Sequence, residues 1–358
     1  MDNISAPETM LDLLNYPGFA VKDGKIAYVN EAAKNRFFQT GTDISQLLLT
    51  GHQEYAAFTD GTLYLSLQVA GSTYDATVIT ACDMHLFLME HTPSHSELQA
   101  LALVSGQLRM PLGDILTASD RLFNEDVDRT EAQKQSISQM NRGIYQLLRL
   151  IGNMSDAGRC LERPQAELYV QNISAIVEEV MEKSAALLSE MEITLRFRST
   201  EQPIIAPADR ERLERALYNL VSNAVKFSPK NAVLHASLTL KKDLLCFTLA
   251  NPGEGVAKEV RGNMFNRFLR APGLDDHRFG AGLGMVLVYA AAAAHGGTVL
   301  VENPPDGGTK VTLTMRLRHN QESVVRHTPF PVDYAGGHDH GLLELSDVLP
   351  DSAFTKYL

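Results

Sequence analysis

Cysteine is scarce in this chain. Cys82, Cys160 and Cys246 are the only three, and they lie far apart. There is no CxxC pair and no His/Cys cluster at ligand spacing, which excludes a disulfide framework and a structural metal knuckle and fits a reducing compartment. Long apolar runs are missing too. The longest, around GMVLVYAAAAA, is shorter than the roughly 20 residues that span a bilayer. The opening stretch MDNISAPETM has neither the basic nor the apolar region of a secretory leader. Positive charge is not in excess: the net charge is −11, and arginines and lysines are scattered among acids, so no basic stripe offers itself to nucleic acid. These absences predict a soluble cytoplasmic protein with neither a membrane nor a nucleic acid as partner. What is present suffices for folding. A hydrophobic content of 44% over 358 residues supports buried cores and room for about two or three domains.

The first region, residues 1–92, reads as a small α+β module. GFAVKDGKIAYVN predicts two short strands around a KDGK turn, and EAAKNRFF a short helix. TLYLSLQVAGSTYDATVITA and HLFLMEH alternate as strands do, with AGS as a turn. Two strands, a helix and then more strands resemble a PAS sensor domain over about eighty residues, in shape more than in motif; any other small α+β module shares that order.

A helix-rich stretch over 95–160 follows the polar joint HTPSHSE. Leu98, Leu101, Ser105, Leu108, Leu112, Ile115, Ser119 and Leu122 recur at alternating steps of three and four, and so do Ile137, Met140, Ile144, Leu147, Ile151 and Met154. Both series are heptad seams. One hairpin of two helices leaves its seams uncovered, whereas two hairpins form a four-helix bundle. The pattern therefore predicts a homodimer through 95–160, or a heterodimer with a related chain.

Pro164 breaks the second helix. From 167 to 318 helices and strands mix into a two-layer α/β sandwich. EITLRFR, AVLHASLTL, DLLCFTLA, GTVLVEN and TKVTLTMRL read as strands. NISAIVEEVMEKSAALLSEM, with Asn172 as N-cap, DRERLERALYNLVSNAVKFS and GLGMVLVYAAAAAHGG read as helices, the last ended by Gly296 and Gly297. Residues 319–358, punctuated by Pro and Gly and acidic, are expected to be a loosely attached, flexible extension. Its histidines His327, His338 and His340 do not have the spacing of a metal site.

Four segments in the sandwich carry chemistry together. In NLVSNAVKFSP, Asn219 and Asn223 share a helix face and Lys226 follows nearly a turn later. Amide oxygens suit a hard cation such as Mg²⁺, and a lysine suits phosphates. NPGEGV places Asn251, Gly253 and Gly255 in a turn after a strand. MFNRFLR holds Phe265, Arg267, Phe268 and Arg270. GAGLGM opens a helix with Gly280, Gly282, Leu283 and Gly284, whose backbone N–H groups can approach phosphate oxygens.

The order and spacing of the four resemble the N, G1, F and G2 boxes of the histidine kinase ATP-binding domain, of the GHKL type. The resemblance covers 167–318 and, with the hairpin, extends back to about residue 95. It implies ATP and Mg²⁺ as cofactors, Asn223 as the Mg²⁺ ligand, Asn219 and Lys226 near the phosphates, and Phe265 to Gly284 as lid and phosphate cradle. It also implies a response regulator or phosphotransfer protein as partner. The family's G1 box has an Asp that accepts a hydrogen bond from the adenine amino group. Here Asn251 stands there, a neutral acceptor that is about half as strong as a charged one.

SGQLRMPL, from Ser105, resembles the family's phosphoacceptor box, approximately SHELRTPL. Ser105, Leu108, Arg109, Pro111 and Leu112 match. Gly106 replaces the acceptor His, Gln107 the neighbouring acid, and Met110 the Thr or Asn that positions water. The frame is kept and the chemistry is missing. Ser105 is about 100° around the helix, and His95 lies roughly 16 Å away along the axis. The expected protein is a pseudo-histidine kinase, a signalling adaptor that binds ATP without phosphorylating itself. A kinase domain acting in trans on another chain's histidine is the alternative, and a serine kinase or ATPase of the same superfamily a third. The fold class expected is α+β throughout: PAS-like module, helical hairpin in a dimeric bundle, and GHKL-type sandwich.

Overall fold

The computed structural model describes residues 7–89, 108, 112, 115, 130–162, 168–200, 202–257, 283–317, 335 and 337–355. The chain is a mixed α+β protein. Its N-terminal module starts with α1 (Pro7–Asp12), β1 (Gly18–Lys22), β2 (Lys25–Val29), α2 (Glu31–Lys34) and α3 (His52–Ala57). It continues with β3 (Thr62–Val69), β4 (Ser72–Ala81) and β5 (Met84–Met89). The KDGK turn forms as its sequence predicts, with Asp23 and Gly24 both at positive φ, the backbone that a two-residue hairpin in a right-twisted pair requires. Stacked rings fill the module's core: Phe19 lies 4.7 Å from Phe87 and 5.0 Å from Phe38 between centroids.

Next comes α4 (Glu131–Glu162), the second helix of the expected hairpin. Leu108, Leu112 and Ile115 are helical as well. Beyond α4 lie β6 (Tyr169–Asn172), α5 (Ile173–Ser189), β7 (Thr194–Arg198), β8 (Ile205–Ala208), α6 (Arg210–Lys226), β9 (Val233–Lys241) and β10 (Leu244–Asn251). The last elements are α7 (Gly284–Ala294), β11 (Val299–Glu302), β12 (Thr309–Arg316) and α8 (His340–Glu344). Asn172 caps α5, its Oδ1 accepting the Ala175 N–H at 3.2 Å. The short β6–β8 sheet is not foreshadowed by the sequence, since Pro207 within β8 argues against a strand.

The two modules share one sheet. Its order is β2-β1-β5-β4-β3-β11-β12-β10-β9-β7, with β3 and β11 joining the N-terminal five strands to the C-terminal five. The joint is antiparallel, Val299 opposite Tyr64 and Val301 opposite Thr62. A polar clasp accompanies it. Tyr289 on α7 donates to Asp75 Oδ1 at 2.6 Å and sits 2.9 Å from Ser66 Oγ, while Glu54 accepts from Thr314 at 2.7 Å.

The seam of α4 is not buried as a unit: Ile144 and Ile151 are buried, but Met140 and Leu147 are 41% and 48% exposed. Other parts of the chain cover a different, partly polar stripe of the helix, through Ser138, Asn141, Tyr145, Arg149 and Asp156. One expectation needs correction, at the end of the chain. Residues 337–355 are not loose: Leu343, Leu345, Leu349 and Phe354 are all buried in the main core with α4, α5 and α6. Each such side chain contributes about 1.5–3 kcal/mol on burial, enough together to hold a short segment in place. Among the described residues no helix is long and apolar enough to cross a membrane.

Candidate nucleotide site

The site is built around the C-terminal end of α6. Asp209 starts this helix by accepting the Arg212 N–H at 3.1 Å. His295, at the end of α7, accepts the N–H of Asp209 on Nε2 at 2.9 Å and lies 2.7 Å from the Ala291 carbonyl through Nδ1. One face of α6 is apolar, through Leu213, Leu217, Leu220, Val221 and Ala224, and lies in the core. This leaves Asn219, Asn223 and Lys226 in series. Asn219 is buried; Asn223 and Lys226 are half-buried.

Asn219 touches the start of α7. A Cβ on Gly284 would sit 2.8 Å from Asn219 Oδ1, so this close approach needs glycine. Asn219 also donates to the Arg215 carbonyl at 2.8 Å. The side chain of Asn223 has no hydrogen-bond partner among the described residues, which leaves an amide oxygen for a cation. α7 is apolar on all sides and is buried accordingly. Its first turn presents the backbone N–H groups that an anion would meet.

Across the sheet, Asn251 ends β10. Its Nδ2 donates to the Pro252 carbonyl at 3.0 Å, leaving Oδ1 as an acceptor. Gly255, at φ +80°, lies so close to Asn303 that a Cβ would be 2.6 Å from its Nδ2. Asn303 clamps this loop by accepting the Val256 N–H at 3.0 Å and donating to the Val256 carbonyl at 2.9 Å. Gly253 and Gly255 are thus glycines for geometric reasons. Asn303 itself was not singled out by the sequence, where an Asn after a strand reads as an ordinary turn. Phe265, Arg267, Phe268, Arg270, Gly280 and Gly282 lie outside the described residues. So do Gly106, Gln107 and Met110 of the degenerate acceptor box and His327 of the tail.

Charged side chains from three segments meet beside Asn219 and Lys226. Glu344, 0% exposed, accepts from Arg149 Nε at 3.4 Å and from Arg215 Nε at 3.1 Å. Arg149, 5% exposed, also reaches Asn219 Oδ1 at 3.1 Å and pairs with Asp347. Lys226 donates to Asp347 at 2.9 Å. Arg215 pairs with Asp156 and reaches Asn153 at 3.0 Å. The Asp347 carboxyl is subject to burial, which works against its charge, but Arg149 and Lys226 outweigh this and hold it below the usual aspartate value. Burial pulls the Lys226 ammonium below its ordinary value, and Asp347 recovers part of that. Sequence reasoning missed Arg149, Arg215, Glu344 and Asp347. The available signal was the apolar spacing of GLLELSDVL, which packs as a short helix.

The start of α7, the amides of Asn219 and Asn223, Lys226, and Asn251 at the end of β10 belong to a GHKL-type ATPase domain, which implies nucleotide binding with Mg²⁺ as its usual companion. Residues 208–319 match the family described as Histidine kinase-, DNA gyrase B-, and HSP90-like ATPase. The chain is 27% identical to the sensor protein KdpD of Clostridium acetobutylicum over 249 residues, covering 66% of this chain and 27% of that one. It is 29% identical to the sensor protein RstB of Escherichia coli over 229 residues, covering 63% of this chain and 50% of that one. It therefore spans about a quarter to a half of the length of these relatives. The structure of full-length ShkA in complex with AMPPNP shares the fold, with a TM-score of 0.50 and 24% identity over 62% of this chain and 46% of that one. Residues 208–319 thus carry a domain of this ATPase family, and the chain is similar to sensor histidine kinases over about two thirds of its length.

The residues present fit Mg²⁺ and a nucleotide in kind. Asn223 offers the amide oxygen, Gly284 keeps the helix start close to Asn219, and Asn251 offers an acceptor. Restoring charge at that acceptor should strengthen binding. Asn251→Asp is expected to bind ATP·Mg²⁺ about tenfold more tightly in calorimetry of the full chain, since a charge-assisted hydrogen bond is roughly 1–2 kcal/mol stronger than a neutral one. Equal affinities would mean that Asn251 does not face the adenine.

Proposed function

We propose that this chain is a nucleotide-responsive signalling scaffold that binds ATP with Mg²⁺, pairs with a second chain through residues 95–160, and does not phosphorylate itself. The observation that carries this reading is Gly106 at the acceptor position of SGQLRMPL, together with Gln107 and Met110. Phosphoryl transfer needs a nucleophile in line with the γ-phosphate, and glycine has no side chain to offer. ATP·Mg²⁺ would supply a transferable phosphoryl group. On the protein side, Asn223 would hold the metal, Asn251 would accept from the adenine amino group, and the glycines up to Gly284 would leave room for phosphate oxygens.

The pairing is supported by the exposed apolar residues of the hairpin: Met140 and Leu147 on α4, and Leu108 and Ile115. A PAS-like role for the N-terminal module is supported by its five-stranded antiparallel sheet with short helices between β2 and β3. Signals would then be read in the cytoplasm and passed to a response regulator, as histidine kinases commonly do. Purified chain incubated with γ-labelled ATP·Mg²⁺ is expected to carry no acid-labile label. Labelling that approaches one phosphate per chain would overturn the reading.

A second reading is favoured by Asn219, Asn223 and Lys226, all present in order. In it the same domain phosphorylates a histidine of a dimer partner or a phosphotransfer protein. Label appearing on an added partner and not on this chain would select it.

A further inference from the structure

Lys226 is the ammonium that the sequence places near nucleotide phosphates. In this structure its Nζ donates to Asp347 Oδ2 at 2.9 Å. The same oxygen is paired with Arg149. Arg149 in turn takes the Oδ1 of Asn219 at 3.1 Å. Two of the three functional side chains of α6 are therefore engaged by groups from elsewhere in the chain, and the anion on Lys226 is a carboxylate from the C-terminal segment. That segment is anchored in three further ways. Leu343, Leu345 and Leu349 are buried. Glu344 bridges Arg149 and Arg215. Arg142 on α4 reaches the Ser346 carbonyl at 3.2 Å and Asp351 at 3.0 Å.

We propose that residues 339–355 are an internal competitor for the nucleotide: the Asp347 carboxylate takes the place of a phosphate oxygen on Lys226, so that tail docking and nucleotide binding exclude one another. This rests on the reading of the domain as nucleotide-binding and adds its regulation. The physical reason is charge. A triphosphate brought to Lys226 would stand beside a half-buried carboxylate, and like charges at such range repel strongly where water is sparse. One ammonium and one guanidinium do not neutralise both anions. The two states are linked reciprocally: whatever factor the docked tail takes from nucleotide affinity, the nucleotide takes from tail docking. The tail also holds α4 against α6 through Glu344, so its release frees the hairpin helix from the nucleotide domain in the same step. A partner that captures GLLELSDVL would open the site.

The test uses the full chain. ATP·Mg²⁺ is titrated calorimetrically into the unaltered protein and into Asp347→Ala at the same salt, and hydrogen exchange of residues 340–354 is followed with and without saturating ATP·Mg²⁺. The expected result is at least tenfold tighter binding by Asp347→Ala, and faster exchange in the unaltered tail when nucleotide is present, chiefly at the Leu343 and Leu345 amides now bonded to Asp339 and Gly341. Equal affinities with unmoved tail exchange would overturn the competition and leave the tail a buttress, while nucleotide binding itself stood. Binding by neither protein at millimolar ATP would overturn the nucleotide reading and this inference with it. The exchange measurement needs no substitution, so it decides the matter even if Asp347→Ala folds poorly.

Discussion

Glu344→Ala is expected to lower the thermal midpoint of the full chain by about 5–15 °C. Glu344 is fully enclosed and gives one carboxylate oxygen to each of two buried arginines. Neither arginine comes from its own segment: Arg149 lies on α4 and Arg215 on α6. Removing a member of a buried ionic network leaves its partners charged and under-solvated, which costs about 3–5 kcal/mol. At a few degrees per kcal/mol for domains of this size, that gives the stated shift. Arg215 keeps Asp156 and Asn153, and Arg149 keeps Asp347, so the loss is a destabilisation and not a collapse. Glu344→Gln retains the shape and one acceptor and should fall between. An unchanged midpoint for both variants would mean that the C-terminal segment contributes nothing to the fold.

Asn223→Ala should weaken ATP·Mg²⁺ binding roughly 30- to 150-fold while leaving the thermal midpoint within a degree or so. The size follows from losing one interaction with a charged group, about 2–3 kcal/mol. The neutrality of the fold follows from the environment of Asn223: its side chain is half-buried and without a hydrogen-bond partner among the described residues, so truncation strands no other group. The nearby Asn219 makes the contrast clear. It is buried, bonded to Arg149 and to the Arg215 carbonyl, and packed on Gly284, so Asn219→Ala would disturb stability and binding together. Calorimetry and a melting curve on the same preparation separate the two effects. Retained affinity in Asn223→Ala would remove this amide from the metal site.

Local chemistry made much of this legible. The KDGK and AGS turns specify two-residue hairpins, and the strands on either side follow from their alternation. The N-cap at Asn172, the polar positions of α6 and the glycine-opened α7 are likewise encoded within a few residues of themselves. What escaped was everything decided at a distance. Nothing in Thr62–Tyr64 or Val299–Val301 distinguishes strands that pair with each other from any two apolar strands. The heptad seam on α4 was visible, but a helix has more than one face, and the stripe that the rest of the chain covers is the one carrying Asn141, Arg149 and Asp156. The tail was misread because its Pro and Gly residues signal looseness locally, whereas Leu343, Leu345 and Leu349 find their burial only against α4, α5 and α6.

The pairing of β3 with β11 bears on how such a protein can be cut and recombined. Signalling proteins are commonly treated as strings of cassettes, with an input unit exchanged by fusing at a linker. Here separating the N-terminal module from the rest would divide the single sheet between β3 and β11, baring the Thr62–Tyr64 edge on one fragment and the apolar Val299–Val301 edge on the other. Raw apolar edges of this kind recruit other strands and aggregate. A foreign input unit grafted at the linker would have to supply a fresh strand to cap β11, or the grafted protein would be sticky whatever the quality of its linker. The two modules are in that sense a single unit of engineering, although their sequences read as two.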